Sequence, residues 1–315
     1  MEQNIRVAEL QKGQQVQGYY LLNDIRRKFS AAGNPYISAR IADATGEMDA
    51  KLWNYSGPLT EEDSGKVVLL RGEAGEFNGA PQFTIFRVRL AAEGDPYDPR
   101  DLAPAAPLDP EAAMAEVREI LASLEDGDYR SLCETMLSRH EKAFQSIPAA
   151  KSVHHAFLSG LLMHTLNMLR AADFLAGLYG EVVCRDLLLA GVFLHDLGKE
   201  QELARSQLGL VTEYTVSGKL LGHLYMGARE VSETARELGL PEEKSLLLQH
   251  LILSHHGEPE YGAAVVPQCA ESELLSIIDL MDSRMEIYAE ALSGTPAGSF
   301  TPKIFALEKQ LYRHE

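Results

Sequence analysis

Seven histidine and aspartate side chains, spread over more than a hundred residues, have the types and the spacing that bind divalent metal. Most of them follow or interrupt strongly apolar helical stretches, which predicts a place in the protein interior. Unpaired carboxylates or clustered imidazoles buried there would cost roughly several kcal/mol, and metal coordination removes that cost. Imidazole and carboxylate together suit Mn, Fe, Ni or Zn. The candidate ligands are His164, His195, Asp196, His223, His255, His256 and Asp279.

Two further charged residues lie close to these candidates in the sequence. Lys199 comes one helical turn after Asp196 and is a candidate catalytic residue that would hold a non-bridging phosphate oxygen. The alternative is that this lysine only complements a helix dipole. Asp282 follows Asp279 by three residues and projects from nearly the same helix face. The sequence favours Asp279 by motif position but leaves open which of the two is the last ligand.

The candidate ligands need helices to bring them together, and the sequence beyond residue 110 has the helical hydrophobic period. Ligand-bearing helices packed side by side can aim such groups at one point in the core of a bundle. We therefore expect an all-α domain over residues 111–315, with its core at 150–290. The predicted helices are Glu111 to Leu124, Tyr129 to Phe144, Val153 to Tyr179, Cys184 to His195, Leu220 to Leu238, Pro241 to His255, and Glu271 to Leu292.

Residues 1–92 have a different pattern, in which short runs of β-branched and aromatic residues are separated by turn signals. This pattern predicts a five-stranded barrel of the OB type at the N-terminus of a multidomain α and β protein. Residues 93–110 contain five prolines and no hydrophobic period, which predicts an extended linker. The predicted strands are Val16 to Leu22, Pro35 to Ala42, Glu47 to Trp53, Lys66 to Glu73, and Pro81 to Ala91.

The second and third predicted strands would present aromatic and basic side chains on one outer face of the barrel, because their apolar residues alternate. OB-folds hold single strands on such faces, where stacking contributes about 1–3 kcal/mol per base. The alternative is that Trp53 caps the barrel and the arginines are solvated. Two histidines about ten residues before His164 either line the substrate path or have a surface or capping role. The candidate substrate-binding residues are Tyr36, Arg40, Lys51, Trp53, Arg87, Arg89, His154 and His155.

Composition limits the class of protein. The 315-residue chain has a formal net charge of −17, but residues 1–95 carry 11 Lys and Arg against 13 Asp and Glu, so the acidity lies mostly outside the barrel. The barrel is therefore the part better suited to nucleic acid. Three separated cysteines argue against a disulfide framework and a thiolate zinc site. Without a long apolar run or a signal-like N-terminus, the chain is predicted to be cytoplasmic, with no membrane partner.

The order of the candidate ligands resembles the H…HD…H…HH…D pattern of the HD superfamily of metal-dependent phosphohydrolases. The match covers about residues 150–290 and includes the segment HDLGK. The resemblance implies a helical HD domain that binds two divalent metal ions, with Asp196 bridging them. One ion would be held by His164, His195, Asp196 and Asp279, and the second by His223, His255 and His256.

A barrel followed by an HD domain is similar to the YhaM-type 3′-5′ exoribonucleases over nearly the whole chain. The matching segments are DATGEMDAKLW, AAKSVHHAFLSGLLMHT, HDLGK, SHHG and SFTPKIFALEKQLY. The resemblance implies that single-stranded RNA is hydrolysed from its 3′ end to nucleoside 5′-monophosphates, with single-stranded DNA as a further candidate substrate. It also implies manganese as the metal, with iron, nickel, zinc and magnesium as alternatives.

Two other functions are compatible with the same residues. The protein could be an HD-type nucleotide or cyclic dinucleotide phosphohydrolase in which the OB domain is only a regulator. It could also be a non-catalytic, metal-stabilised RNA-binding adaptor. Cleavage of mononucleotides without the barrel would indicate the first function, and the lack of any cleavage by metal-loaded protein would indicate the second.

Overall fold

The computed structural model describes residues 4–30, 32–92, 94–149, 157–205, 208–209 and 211–315. The chain divides into two compact units. The first comprises residues 1–105 with 205–210, and the second comprises residues 106–204 with 211–315. Within the described ranges, no helix combines the length and the apolar character needed to cross a membrane.

The first unit contains five strands, β1 (Gln15–Phe29), β2 (Pro35–Asp43), β3 (Gly46–Trp53), β4 (Lys66–Phe77) and β5 (Ala80–Leu90). They close into a barrel in the order β1-β2-β3-β5-β4, with β4 pairing again with β1. All pairs are antiparallel except β3 with β5, which is parallel. This is the five-stranded arrangement of an OB-fold, so the predicted barrel is confirmed.

The barrel interior is filled by the alternating apolar residues of β2 and β3, including Ile37, Ile41 and Leu52, which are all buried. Tyr20 is also completely buried, and its hydroxyl donates a hydrogen bond to the carbonyl oxygen of Ile5 at 2.5 Å. Burial raises the pKa of the Tyr20 phenol. The hydrogen bond lets this large ring enter the core without leaving a polar atom unpaired.

Strand β1 is longer than predicted. Its second half was not predicted, because the sequence there lacks an apolar alternation. The register with β2 shifts between Asn23 and Arg26, where Asp24 has a positive φ of 52°. Beyond that irregularity, the residues Arg26 to Phe29 are exposed and pair with β2. An exposed ribbon buries no face, so its sequence carries no period of two.

The predicted extended linker contains a short helix, α1 (Pro99–Leu102). The carboxylate of Asp98 accepts a hydrogen bond from the backbone N–H of Arg100 at 2.9 Å and caps this helix. Proline at the first helical position has the required φ and has no N–H to leave unpaired. The prediction of an entirely extended segment was therefore wrong, because one of its prolines begins a helix.

The second unit is mainly helical, which confirms the predicted helical bundle. Its apolar core is continuous, and the helix Arg185–Leu194 is buried along nearly its whole length. A Cβ atom at Gly191 would overlap the side chain of Leu251, so this glycine permits close packing between helices. The helices are α2 (Pro110–Ala122), α3 (Gly127–Ser146), α4 (Gly160–Leu178), α5 (Arg185–Leu194), α6 (Lys199–Glu202), α7 (Val216–Leu238), α8 (Glu242–Ser254) and α9 (Ala270–Ser293).

Two small sheets were not predicted by the helical pattern. They pair β6 (Leu203–Arg205) with β7 (Val211–Tyr214), and β8 (Ser299–Phe300) with β9 (Tyr312–Arg313). The predicted helix from Val153 to Tyr179 is described from Gly160 onward as α4. Residues 150–156, which include His154 and His155, lie outside the described residues.

Candidate metal centre

The seven predicted ligands come from five places in the helical unit and meet in one cluster. His164 lies on α4, His195 and Asp196 follow directly after α5, and Asp279 lies on α9. His164, His195, Asp196 and His255 are all at most 2% exposed. The remaining ligands are His223 within α7 and His255 and His256 immediately after the end of α8.

Asp196 is at the centre of the cluster, and its two carboxylate oxygens face different histidines. Its Oδ2 atom is 3.3 Å from Nε2 of His195 and 3.9 Å from Nε2 of His164. Its Oδ1 atom is 3.6 Å from Nε2 of His223 and 3.8 Å from Nε2 of His255. One carboxylate therefore lies between two groups of imidazoles.

Three groups of ligand atoms are close enough to share an ion, with all atoms of a group within 4.8 Å of one another. The same cluster contains four buried polar atoms that have no hydrogen-bond partner within the described residues: Nε2 of His195, Oδ1 of Asp196, Nε2 of His223 and Nδ1 of His256. Such atoms are rare in protein interiors, and a coordinated cation satisfies them. The donor set therefore fits divalent metal. The three groups are His164, His195 and Asp196; His223, His255 and His256; and His195, His255 and Asp279.

The imidazole rings are held from behind by contacts of their Nδ1 atoms. Nδ1 of His195 is 2.7 Å from the carbonyl oxygen of Val192, and Nδ1 of His255 is 2.8 Å from that of Ile252. A carbonyl oxygen can only accept, so in both rings Nδ1 carries the proton and Nε2 presents a lone pair to the centre. Such contacts orient the ligands of metal sites.

Carboxylates do the same for the two other rings. Nδ1 of His164 is 2.7 Å from Oδ2 of Asp282, and Nδ1 of His223 is 3.1 Å from Oε2 of Glu202. On its other side, Nε2 of His164 is 3.2 Å from Oδ1 of Asp279. The geometry thus separates the two aspartates, with Asp279 facing the centre and Asp282 behind His164.

Glu202 was missed by the sequence reasoning. It lies at the end of α6, six residues after Asp196, and it is buried. Its carboxylate also accepts a hydrogen bond from the backbone N–H of His223 at 3.2 Å. The only sequence signal was an acidic residue shortly after HDLGK, and that signal does not identify the ring it contacts.

Two glycines allow α6 and α7 to approach closely around His223. A Cβ atom at Gly198 would overlap the carbonyl oxygen of His223. Gly222 has φ 74° and ψ 159°, which interrupts α7 immediately before His223. This conformation is accessible to glycine and strained for other residues, so the break re-aims His223 toward Asp196.

Burial and neighbouring charged groups shift the pKa values of residues in the cluster. Burial opposes ionisation of Asp196, but the Lys199 ammonium and His195 hold the pKa of this carboxyl well below its usual range. Burial, together with His195, lowers the pKa of His255 well below its usual value. A carboxylate and a neutral imidazole are the forms that bind metal.

Lys199 lies next to the central carboxylate. Its Nζ atom is 2.6 Å from Oδ2 of Asp196, and its side chain is 14% exposed. Although burial disfavours the charged form, the nearby Asp196 carboxylate raises the pKa of Lys199. The ammonium is therefore charged at the edge of the cluster, as phosphate binding would require.

In the barrel, three of the predicted substrate contacts are brought together. The rings of Tyr36 and Trp53 have centroids 4.7 Å apart, and they come from paired positions of β2 and β3. Nζ of Lys51 lies 5.8 Å from the centroid of the Tyr36 ring. The Trp53 ring is 48% exposed, so it does not cap the barrel interior.

The three predicted arginines of the barrel differ in their partners. Arg40 is paired with Asp24 and with Glu47, the latter at 2.5 Å. Arg89 is paired with Asp95 at 2.6 Å. Arg87 is exposed and has no ion pair or hydrogen bond through its side chain in the described part of the chain. Arg87 lies opposite Arg71 of β4, and Arg89 lies opposite Leu69. Both arginines are therefore on a different part of the barrel wall from Tyr36 and Trp53, which lie on β2 and β3.

Proteins similar to this chain over nearly its full length are known. The 3′-5′ exoribonuclease YhaM of Geobacillus sp. is 35% identical over 310 residues, which is 97% of this chain and 94% of that protein. The 3′-5′ exoribonuclease YhaM of Halalkalibacterium halodurans is 35% identical over 304 residues, covering 96% and 93%. The chain belongs to the YhaM family.

Within this YhaM-family chain, the HD domain model matches residues 161–284, a range that contains all seven predicted ligands. The HD domain and the clusters of histidine and aspartate imply that the protein binds divalent metal. Among solved structures, the second OB-fold domain of replication protein A from Methanococcus maripaludis covers 29% of this chain and 98% of its own length, with 13% identity and a TM-score of 0.25. The match to the HD domain model and the similarity to the YhaM relatives confirm the sequence-based assignment to the HD superfamily and the YhaM type.

Proposed function

We propose that this protein is a metal-dependent 3′-5′ exoribonuclease that hydrolyses single-stranded RNA to nucleoside 5′-monophosphates, with single-stranded DNA as an additional substrate. Its relatives in the YhaM family are named 3′-5′ exoribonuclease. The similarity covers 93–94% of the length of those relatives. The proposed cofactor is a pair of divalent ions, with manganese first and iron, nickel, zinc or magnesium as alternatives.

The observation that carries the proposal is the position of Asp196 between two imidazole groups. Each of its oxygens faces a different pair of histidines, and Oδ1 has no hydrogen-bond partner in the described part of the chain. Such an arrangement supports a carboxylate that bridges two ions. When bound, two divalent ions would supply Lewis acidity toward the phosphate and a nucleophile at neutral pH.

The chain's own residues prepare the site for that chemistry. Asp282 and Glu202 contact Nδ1 of His164 and His223, which directs both Nε2 atoms toward the centre, where each would give its lone pair to an ion. Asp279 would complete the group around His164. Lys199, charged and 2.6 Å from Asp196, would hold a non-bridging oxygen of the scissile phosphate.

The barrel would bind the single strand. Tyr36 and Trp53 form a tilted aromatic pair on its outer surface, with the ammonium of Lys51 beside the Tyr36 ring. Exposed aromatic rings stack on unpaired bases, and nearby cations attract the phosphates between them. Arg87 would add a further contact, whereas Arg40 and Arg89 would first have to leave their carboxylate partners.

The test uses the full-length protein loaded with manganese and single-stranded RNA labelled at either end. Shortening of 5′-labelled RNA in single-nucleotide steps, with release of labelled mononucleotide from 3′-labelled RNA, is the expected result. Internal cuts or intact RNA would refute the proposal. Cleavage of mononucleotides or cyclic dinucleotides alone would favour the phosphohydrolase, and RNA that is bound but never cut would favour the adaptor.

Asp196→Asn is the matched variant, because it removes the charge of the central carboxylate and changes little in volume. We expect no detectable RNA shortening and loss of bound manganese. Asp173→Asn is the control, since Asp173 lies on the exposed side of α4 and pairs with Arg185. The control should retain both manganese and activity.

A further inference from the structure

A cavity of about 480 Å³ adjoins the metal centre. His255, His256 and Asp279 form one side of it, and Ala306 and Leu307 from the C-terminal segment form another. Its volume falls in the range of roughly 300–1,000 Å³ that small-molecule sites occupy. The C-terminal segment is therefore part of the wall of the site in which the proposed chemistry takes place.

Helix α9 presents a continuous stripe to this cavity. Ser276, Asp279, Leu280, Ser283 and Arg284 all line it, and their spacing is that of one helix face. Arg284 is exposed, and its side chain makes no ion pair or hydrogen bond among the described residues. An unpartnered guanidinium beside a metal centre is suited to bind phosphate in a bidentate manner.

The other side chains that line the cavity give it an acidic balance. Glu258 and Glu273 contribute carboxylates in addition to Asp279, and Arg284 is the lone lysine or arginine among the residues described as lining it. A nucleic acid could enter only where cations offset this charge. The guanidinium of Arg284 is therefore the group that would bind phosphate in this cavity.

The C-terminal segment is an ordered hairpin. The backbone N–H of Thr301 donates to the carbonyl oxygen of Leu311 at 2.8 Å, and the N–H of Ile304 donates to that of Lys309 at 2.9 Å. At its base, Arg313 donates to the carbonyl oxygen of Thr295 at 2.6 Å. The first two bonds join the arms of the hairpin, and Arg313, which also donates to the carbonyl oxygen of Leu292 at 3.0 Å, fixes its base to the end of α9.

The hairpin also follows α9 back toward the metal centre. Nζ of Lys309 lies 5.3 Å from the centroid of the Tyr288 ring of α9. The tip, a single turn of 3-10 helix at Phe305–Leu307, ends at the cavity beside Leu280 and Arg284. With about 1.5 Å of rise per residue, the hairpin spans roughly 18 Å along the helix from its anchor near Leu292.

Phe305, at this tip, is 95% exposed. Single exposed apolar residues are common on protein surfaces, so exposure alone has no meaning. Here, however, the exposed ring is adjacent to two residues that line the cavity, and an unpartnered guanidinium lines the same cavity. An aromatic face and a cation are the two groups that bind an unpaired nucleotide.

We infer that the C-terminal hairpin is a substrate-binding arm of the HD domain, in which Phe305 stacks on a base near the 3′ end of a single strand and Arg284 binds a phosphate of the same end. The inference rests on the proposed function. A base within a duplex has both faces covered by its neighbours, so the arm would favour unpaired ends. Neither residue is a candidate metal ligand.

The test compares two substrates for the manganese-loaded full-length enzyme. One is a single-stranded RNA oligonucleotide and the other is bis(p-nitrophenyl) phosphate, which offers a phosphodiester with no base to stack. Phe305→Ala should lower kcat/KM for the oligonucleotide about 30-fold, the middle of the range for loss of one stacked base. Hydrolysis of the small diester should remain at the wild-type rate.

Two further variants make the result specific. Phe305→Trp should restore oligonucleotide cleavage to at least the wild-type rate, because indole also stacks. Arg284→Gln should lower oligonucleotide kcat/KM by a similar factor and should weaken the dependence of KM on salt. Phe174→Ala is the matched control, since Phe174 is 73% exposed on α4 and does not line the cavity.

The outcomes distinguish a failure of the proposed arm from a failure of the proposed function. If the wild type shortens RNA and Phe305→Ala does so equally well, the arm is refuted and the proposed function stands. Equal losses on both substrates, or no rescue by tryptophan, would also refute the arm. If the wild type cleaves the small diester but leaves RNA intact, the proposed function and the arm both fail.

Discussion

His140, on α3, allows a quantitative test of what stabilises the helical unit. Its Nδ1 atom is 2.5 Å from Oε2 of Glu200, and its Nε2 atom is 2.7 Å from Oε1 of Glu230. Burial disfavours the charged ring, but the two carboxylates raise the pKa of His140 to about 9. The ring therefore links α3 to α6 and α7 as a buried cation between two anions.

The magnitude follows from the pKa difference. From a usual value near 6.5, a rise to about 9 corresponds to about 3 kcal/mol of stabilisation of the protonated ring. Because the folded pKa exceeds the unfolded one, this contribution is fully present below about pH 6.5 and is lost as the pH rises through about 9. His140→Gln keeps a polar side chain but removes the charge.

We expect His140→Gln to lower the free energy of unfolding by about 3 kcal/mol near pH 6 and by less than about 1 kcal/mol near pH 10. Urea unfolding monitored by far-ultraviolet circular dichroism reports on the helical unit. The single tryptophan, Trp53, lies in the barrel, so its fluorescence reports separately on that unit and should not change.

His314→Gln is the control, because His314 is an exposed residue beside the C-terminus. It should not alter the stability of the helical unit at either pH. The reasoning is refuted if the difference between wild type and His140→Gln is the same near pH 6 and near pH 10. Such a result would mean that shape or hydrogen bonding, and not the charge of the ring, connects the helices.

Other predictions concern the metal centre and the barrel. Asp282→Asn and Glu202→Gln should each weaken manganese binding about 10- to 100-fold in metal titrations, because each removes an anion behind a ligand ring; unchanged affinity would contradict the orienting role. Lys199→Met should reduce kcat for bis(p-nitrophenyl) phosphate and RNA alike, and an effect on RNA alone would argue against phosphate contact at the centre. Trp53→Ala should weaken binding of single-stranded RNA by about 1–3 kcal/mol in a binding assay, while equal binding would remove the barrel from the substrate path. Chelation should lower the Tm of the helical unit, followed by circular dichroism, and leave that of the barrel unchanged.

The convergence of the ligands could be predicted because most of them follow or interrupt a strongly apolar helix. Periodicity identifies the helices, and residue type identifies the chemistry. What the sequence left open was decided by side-chain direction. Asp279 and Asp282 are three residues apart on one helix, and only the contacts of His164 distinguish the inner carboxylate from the outer one.

Other features had no sequence signal of comparable strength. Glu202 reaches His223 because a glycine break and a close helix approach bring α6 beside α7, and neither is visible as a period. His140 was not among the candidate residues, because its partners, Glu200 and Glu230, are 60 and 90 residues away in the sequence. The C-terminal hairpin has few buried side chains, so its sequence lacks the alternation that predicts strands.

The contacts behind the four oriented rings have a consequence for how this centre can change. Each half of the cluster contains one ring backed by a main-chain carbonyl and one backed by a carboxylate. The carbonyls belong to helix ends and survive any substitution that preserves those helices. The carboxylates, in contrast, can each be substituted separately. A substitution of Asp282 would change how strongly His164 binds metal, and a substitution of Glu202 would do the same for His223, each without affecting the other half.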